Sequence, residues 1–163
     1  MKEFSISRMF DAPRDLVWKA WTERERMMEW FGPKGFTMTK ATLDFRPGGI
    51  FHYCLKGPDG KEMWGKWVFR EIVPQEKIVL THSFSDEKGD VTVHPMSPTW
   101  PREMLSTTTF AEQGGKTTVT VKWIPINPTP EEQKTFDSNL DGMAMGWGGT
   151  FEQLTEYLAK QTK

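Results

Sequence analysis

One cysteine, Cys54, leaves this chain without any internal disulfide, and a lone thiol points to a reducing, cytoplasmic setting. No apolar run is long enough for a signal peptide or a membrane span; the opening MKEFSISRMFDAPRD is interrupted by charge throughout. Neither sign of charge prevails, with 21 Lys and Arg against 22 Asp and Glu. No basic stripe for nucleic acid and no polybasic membrane anchor are therefore expected. HExxH and CxxC spacings are missing, so no metal or other cofactor is expected. There is no GxSxG, and Cys54 has no basic neighbour to activate it, so no catalytic residue is named. Tyrosine is scarce too, with two residues against eight Trp and eleven Phe. That excess of large flat side chains, with ten Met, marks either an adaptable cavity wall or a plain Trp-rich core.

What remains is a chain of 163 residues, enough for one domain spanning 1–163 with its own core. FSISRMF alternates Phe4, Ile6 and Phe10 on one face, a first strand. Pro13 opens a helix over PRDLVWKAW, and Thr22 with Glu25 reads as the capping box of a second. Six strands should follow up to about residue 124, joined through RPGG, GPDG, VPQEK, a loop containing HPMSPTWP, and the hairpin AEQGGK. TPEE then starts a last helix at Thr129, expected to continue to Leu158.

Within that last segment GMAMGWGG poses a choice between a phosphate-cradling loop and a helix. At 100° per residue, Phe136, Leu140, Met143, Trp147, Thr150, Phe151, Leu154, Tyr157 and Leu158 share one stripe. A phosphate loop needs strand, glycines and helix start in that order, whereas this helix begins a dozen residues upstream. The glycines therefore lie inside the helix. Each costs about 1 kcal/mol relative to alanine. That cost is explained either by close approach of a neighbour or by local softness where the helix covers a cavity.

Alternation sorts the strands into two faces. Ala41, Leu43, Phe45, Phe51, Tyr53, Leu55, Met63, Gly65, Trp67, Phe69, Ile78, Leu80, His82, Phe84, Val119, Val121 and Trp123 share one parity, and His52, Lys66, Arg70 and Lys122 the other. An antiparallel sheet with a dry face under a helix is the expectation. His82 is the polar exception on the dry face. A hydrogen-bonded core histidine is the commoner explanation, and a ligand-orienting group the functional one. Tyr53 is the second polar candidate, with Gly65 leaving volume between them or marking a bulge.

FDAPRDLVWKAWTERERMMEWFGPKGF, LDFRPGGIFHY, GKWVFREIVPQEKIVLTHSF and GMAMGWGGTFEQLTEYLA together resemble the family named for the activator of the ninety-kilodalton heat-shock chaperone ATPase. That family belongs to the START-like, or SRPBCC, superfamily. The resemblance implies an α+β helix-grip fold, β-α-α-β6-α, with a curved antiparallel sheet gripping a long C-terminal helix. It implies a cavity for a small apolar or aromatic ligand. Tyr53, Trp67, Phe69, His82, Phe84, Met143, Trp147 and Phe151 are the candidate cavity residues, with His82 and Tyr53 at the ligand's polar end. Alternatives within the superfamily are a chaperone-activating module, acting through the sheet's exposed face or the 92–101 loop, and a polyketide-cyclase-like enzyme using His82 as general acid or base. Trp100 of that loop is either an anchor or, as is commoner for a loop tryptophan, tucked in. The eukaryotic activator has an additional N-terminal chaperone-binding domain for which 163 residues leave no room, so the expectation is a non-catalytic binding protein, monomeric or homodimeric.

Overall fold

The computed structural model describes residues 2–94 and 97–161. Strand β1 (Phe4–Phe10) is followed by helices α1 (Arg14–Thr22) and α2 (Arg24–Trp30). Strands β2 (Thr37–Leu43), β3 (Ile50–Lys56), β4 (Glu62–Val73) and β5 (Lys77–Ser85) come next, then β6 (Val91–Thr92), β7 (Glu103–Gln113) and β8 (Lys116–Pro125). Helices α3 (Pro130–Ser138) and α4 (Leu140–Gln161) complete the described chain. The strands form one antiparallel sheet in the order β1-β8-β7-β5-β4-β3-β2, with β6 paired to β5 off that path. The helix-grip architecture is the observed one.

Local chemistry accounts for most of these boundaries. Gly114 and Gly115 take φ of 62° and 78°, the two successive left-handed residues that a two-residue hairpin turn between β7 and β8 requires. Thr129 caps α3 reciprocally with Glu132: the Glu132 N–H donates to Thr129 Oγ1 at 3.1 Å, and the Thr129 N–H donates to Glu132 Oε1 at 3.0 Å. The expected alternation holds along β3 and β4 until Arg70. There a register shift between Phe69 and Glu71 turns Glu71 outward to pair with Lys77 at 3.2 Å.

Three expectations need correction. Thr22 does not cap α2; it is the last residue of α1, its hydroxyl donating to the Trp18 carbonyl at 2.9 Å, and Glu23 stands at the α2 N-cap. Seven strands rather than six follow the helices, because the segment after β5 doubles back for two residues as β6. So short a strand has no periodicity to read. Finally, the C-terminal helix is interrupted at Asn139, with φ −115° and ψ 21°. The Ser138 hydroxyl donates to the Lys134 carbonyl at 2.7 Å and the Asn139 amide to the Thr135 carbonyl at 2.8 Å, bonds that compete with helix continuation. Past that one residue, α4 runs unbroken through all four of its glycines.

Helix α4 lies on the dry face of the sheet. Its stripe is buried from Met143 through Leu158, with Phe151 and Leu154 fully inaccessible. Gln153 ties it to the segment after α2, donating to the Gly32 carbonyl at 2.6 Å.

Candidate functional site

The sheet register assembles the site's floor row by row. Phe51 faces Trp67, which faces His82; one row on, Tyr53 faces Gly65, which faces Phe84. Gly65 is not a bulge, because both of its pairings are regular; it borders the cavity beside Tyr53, whose ring folds over it. A Cβ at Gly65 would overlap the Tyr53 ring and hydroxyl. Gly65→Ala is therefore expected to lower stability by about 1–3 kcal/mol, the usual range for overpacking a filled core. A urea titration showing no loss would mean that Tyr53 swings aside freely.

Between this floor and α4 lies a cavity of about 190 Å³. Tyr53, Trp67, His82, Phe84, Ser106, Thr108 and Trp123 face it from the sheet, and Met143, Gly146, Trp147 and Thr150 from α4. Trp21 of α1 and the Phe31–Pro33 turn close one end, while half-buried Met63 and Trp64 stand at the rim. Trp147 stacks on Trp21 with ring centroids 6.0 Å apart and an interplanar angle of 15°, and meets Trp123 edge-on at 5.7 Å. Trp67 and Trp147 each contact Phe31, at 5.3 and 6.2 Å, and both line the space. No Asp, Glu, Lys or Arg is among the described residues lining it.

His82 is the one titratable nitrogen base in the described wall. Its Nδ1 is buried without a hydrogen-bond partner among the described residues. The ring lies against Trp123 at 5.0 Å and Phe84 at 6.3 Å. Part of the residue stays accessible because it faces the cavity. Burial without a counter-charge disfavours imidazolium and pulls its pKa from 6.5 down to about 4, so the ring is neutral at physiological pH. Tyr53 is shifted the other way: burial pushes its phenol well above the ordinary range, partly opposed by a hydrogen bond with the Trp67 indole. The Trp123 indole donates to Ser106 Oγ at 3.1 Å, and the Thr150 hydroxyl donates to the Gly146 carbonyl at 3.0 Å.

Of the eight residues named from the sequence, the structure brings Tyr53, Trp67, His82, Phe84, Met143 and Trp147 to one cavity. Phe69 and Phe151 are corrections. Phe69 packs into Phe45 and Trp67, and Phe151 into Phe10 and Trp147, both in solid core away from the space. Parity says which face of a strand is dry but not how far along it the packing opens. Trp21, Phe31, Ser106, Trp123 and Gly146 were not foreseen; Trp123 had the right parity, whereas Trp21 and Phe31 come from other elements and had no shared signal. Trp100 is buried against Phe136, at 6.0 Å, and is no exposed anchor. Pro95 and Met96 of its loop lie outside the described residues.

The α4 glycines divide by cause. A Cβ on Gly149 would meet the Lys34 backbone nitrogen at 3.1 Å, so this residue answers to close approach. At Gly146 a Cβ would meet nothing within 4 Å, and the residue borders the cavity. Gly146→Ala is thus expected to raise stability by up to about 1 kcal/mol through helix propensity alone. A lower midpoint in urea would show that the helix needs glycine there for its shape.

This arrangement defines a helix-grip protein with an aromatic cavity between its sheet and its C-terminal helix. Residues 11–159 match the family described as Activator of Hsp90 ATPase homolog 1-like protein, and the chain belongs to that family. Among solved structures it is similar to a protein from Arthrobacter aurescens, with 27% identity, 97% of this chain and 86% of that one covered, and a TM-score of 0.80. A Nitrosomonas europaea protein is 24% identical over 98% of this chain and 96% of that one, with a TM-score of 0.77. The AHSA1 protein from Silicibacter pomeroyi is 14% identical over 98% and 99%, with a TM-score of 0.72. No curated protein matches the chain. No helix among the described residues is long and apolar enough to cross a membrane.

Proposed function

We propose that this protein is a cytoplasmic, non-catalytic carrier or sensor of a small apolar or aromatic molecule held between the sheet and α4. The supporting observation is the cavity itself: about 190 Å³ walled by indole and phenyl rings, with a neutral imidazole as its most polar feature. Apolar pockets with a few placed polar atoms are the usual form of small-molecule sites. Trp67, Phe84, Met143 and Trp147 supply contact area, His82 the polar contact, and Tyr53 a wall whose hydroxyl already interacts with Trp67. Native mass spectrometry of freshly purified protein should show a mass increment that disappears on denaturation. Only the bare chain mass, together with no uptake of any added aromatic, would end this reading.

The family description favours a second reading, an ATPase-activating module for the Hsp90 chaperone. Stimulation of that ATPase by this chain would support it. An unchanged ATPase rate at saturating chain would remove it.

A further inference from the structure

From the size of the cavity and the placement of its polar atoms, we infer that the ligand is an uncharged molecule of one or two aromatic rings bearing a hydroxyl, with the hydroxyl directed to the corner formed by His82, Ser106 and Trp123. This rests on the carrier reading above and narrows it to a chemical class.

Volume sets the first limit. A cavity of ~150 Å³ accepts a benzene molecule, and drug-sized ligands occupy ~300–1,000 Å³. At about 190 Å³ the space exceeds what one bare ring needs and falls short of what a sterol or a two-chain lipid would fill. Shape sets the second. Trp147, Trp67 and Phe31 present flat faces and edges at steep mutual angles, 78° between Phe31 and Trp147 and 86° between Phe31 and Trp67. A planar guest can stack on one and meet the edge of another, which aromatic pairs prefer.

Charge sets the third limit. No ionised side chain lines the described wall, so a carboxylate or ammonium group drawn inside would be desolvated without a partner. The wall also carries the Trp21 indole N–H, buried without a partner among the described residues, and the Tyr53, Thr108 and Thr150 hydroxyls. A titratable nitrogen stands beside a hydroxyl at one corner only, that of His82 and Ser106. Trp123 joins its two members, lying 5.0 Å from the His82 ring and donating to Ser106 Oγ at 3.1 Å. That bond uses Ser106 as an acceptor and leaves its own hydroxyl hydrogen to donate. The His82 imidazole makes no hydrogen bond among the described residues, and with Nδ1 packed away its Nε2 is the nitrogen left for a guest. A neutral imidazole offers one donor and one acceptor, and which of them Nε2 presents depends on the tautomer. A hydroxyl satisfies either tautomer, and can at once accept from Ser106. A bare hydrocarbon satisfies none of these groups, and a ketone only one tautomer.

The test compares four probes on the full chain at pH 7.5 by calorimetry and by the indole N–H signals in NMR: 2-naphthol, naphthalene, 2-naphthoate and decanoate. 2-Naphthol should bind about fivefold or more tighter than naphthalene, the worth of one net hydrogen bond. It should shift the Trp123 indole signal, and both anions should bind more weakly than either neutral ring. In His82→Leu the advantage of naphthol over naphthalene should vanish, whatever the change in the affinity of either. Naphthoate or decanoate binding as tightly as naphthol would overturn the inference and leave the carrier reading standing. So would naphthalene matching naphthol on the unaltered chain, a comparison that needs no variant to fold. If none of the four binds, this inference falls, and with a bare chain mass in native mass spectrometry the carrier reading falls too.

Discussion

Truncating Phe151 to alanine is expected to destabilise the fold by about 3–5 kcal/mol, and Trp147→Ala to cost no more although it removes the larger side chain. Phe151 is wholly inaccessible. Its ring is held by Phe10 at 5.6 Å, Trp147 at 5.4 Å and the Arg8 guanidinium 5.6 Å above its centroid. Removing it opens a void inside close-packed core, where the transfer loss and the cavity loss add. Trp147 is packed by Trp21, Trp123 and Phe151 on some sides but borders an existing space on another. Its loss enlarges that space and forfeits fewer contacts per atom. Urea midpoints of the two variants decide the matter. A penalty for Trp147→Ala well above that for Phe151→Ala would show that the space beside Trp147 is filled in solution and holds no guest.

The second large effect is a dependence on pH. In the unfolded chain His82 titrates near 6.5, and in the folded protein near 4. Between those values the unfolded chain holds the extra proton. Stability attributable to His82 is therefore fully present above about pH 6.5, falls as pH drops toward 4, and changes little below that. The interval corresponds to a loss of about 3 kcal/mol. His94 is also lowered by burial and acts in the same direction, and carboxylates contribute to acid unfolding as well. The comparison with His82→Leu isolates the His82 share: from pH 7.5 to 4 the unfolding free energy should fall less in the variant, which has the shallower slope. Parallel slopes would mean that the folded protein lets His82 reach water and take up a proton without cost.

The two experiments bear on function together. A wall that tolerates truncation better than the neighbouring core, and a histidine kept neutral within it, are what the proposed site for uncharged guests requires. The first concerns space and the second solvation, so either can fail without the other.

Much of this could be read before any coordinates. Composition excluded a disulfide framework. The capping box at Thr129 appears as expected, because its bonds join residues three apart. The stripe from Met143 to Leu158 and the inward set Phe51, Tyr53, Leu55, Trp67 and Phe69 of β3 and β4 also appear as expected. Each of these is set by chain geometry within a few residues, which the order of side chains dictates directly. In β5, by contrast, Thr81, Ser83 and Ser85 of the opposite parity are buried as well. The break at Asn139 and the brevity of β6 escaped notice, since a single back-bonding amide and a two-residue pairing leave no period.

What only tertiary structure decided is where packing stops. That Tyr53 fills the space above Gly65, that Gly149 yields to Lys34 while Gly146 faces open volume, and that Phe69 and Phe151 belong to solid core are outcomes of elements meeting. Trp21 and Trp147, 126 positions apart in sequence, come to stack at one end of the cavity. Local sequence determined which side chains face inward, because backbone periodicity carries that information. The space left between them depended on the distances at which the sheet and three helices come to rest, and no stretch of residues encodes such a distance alone.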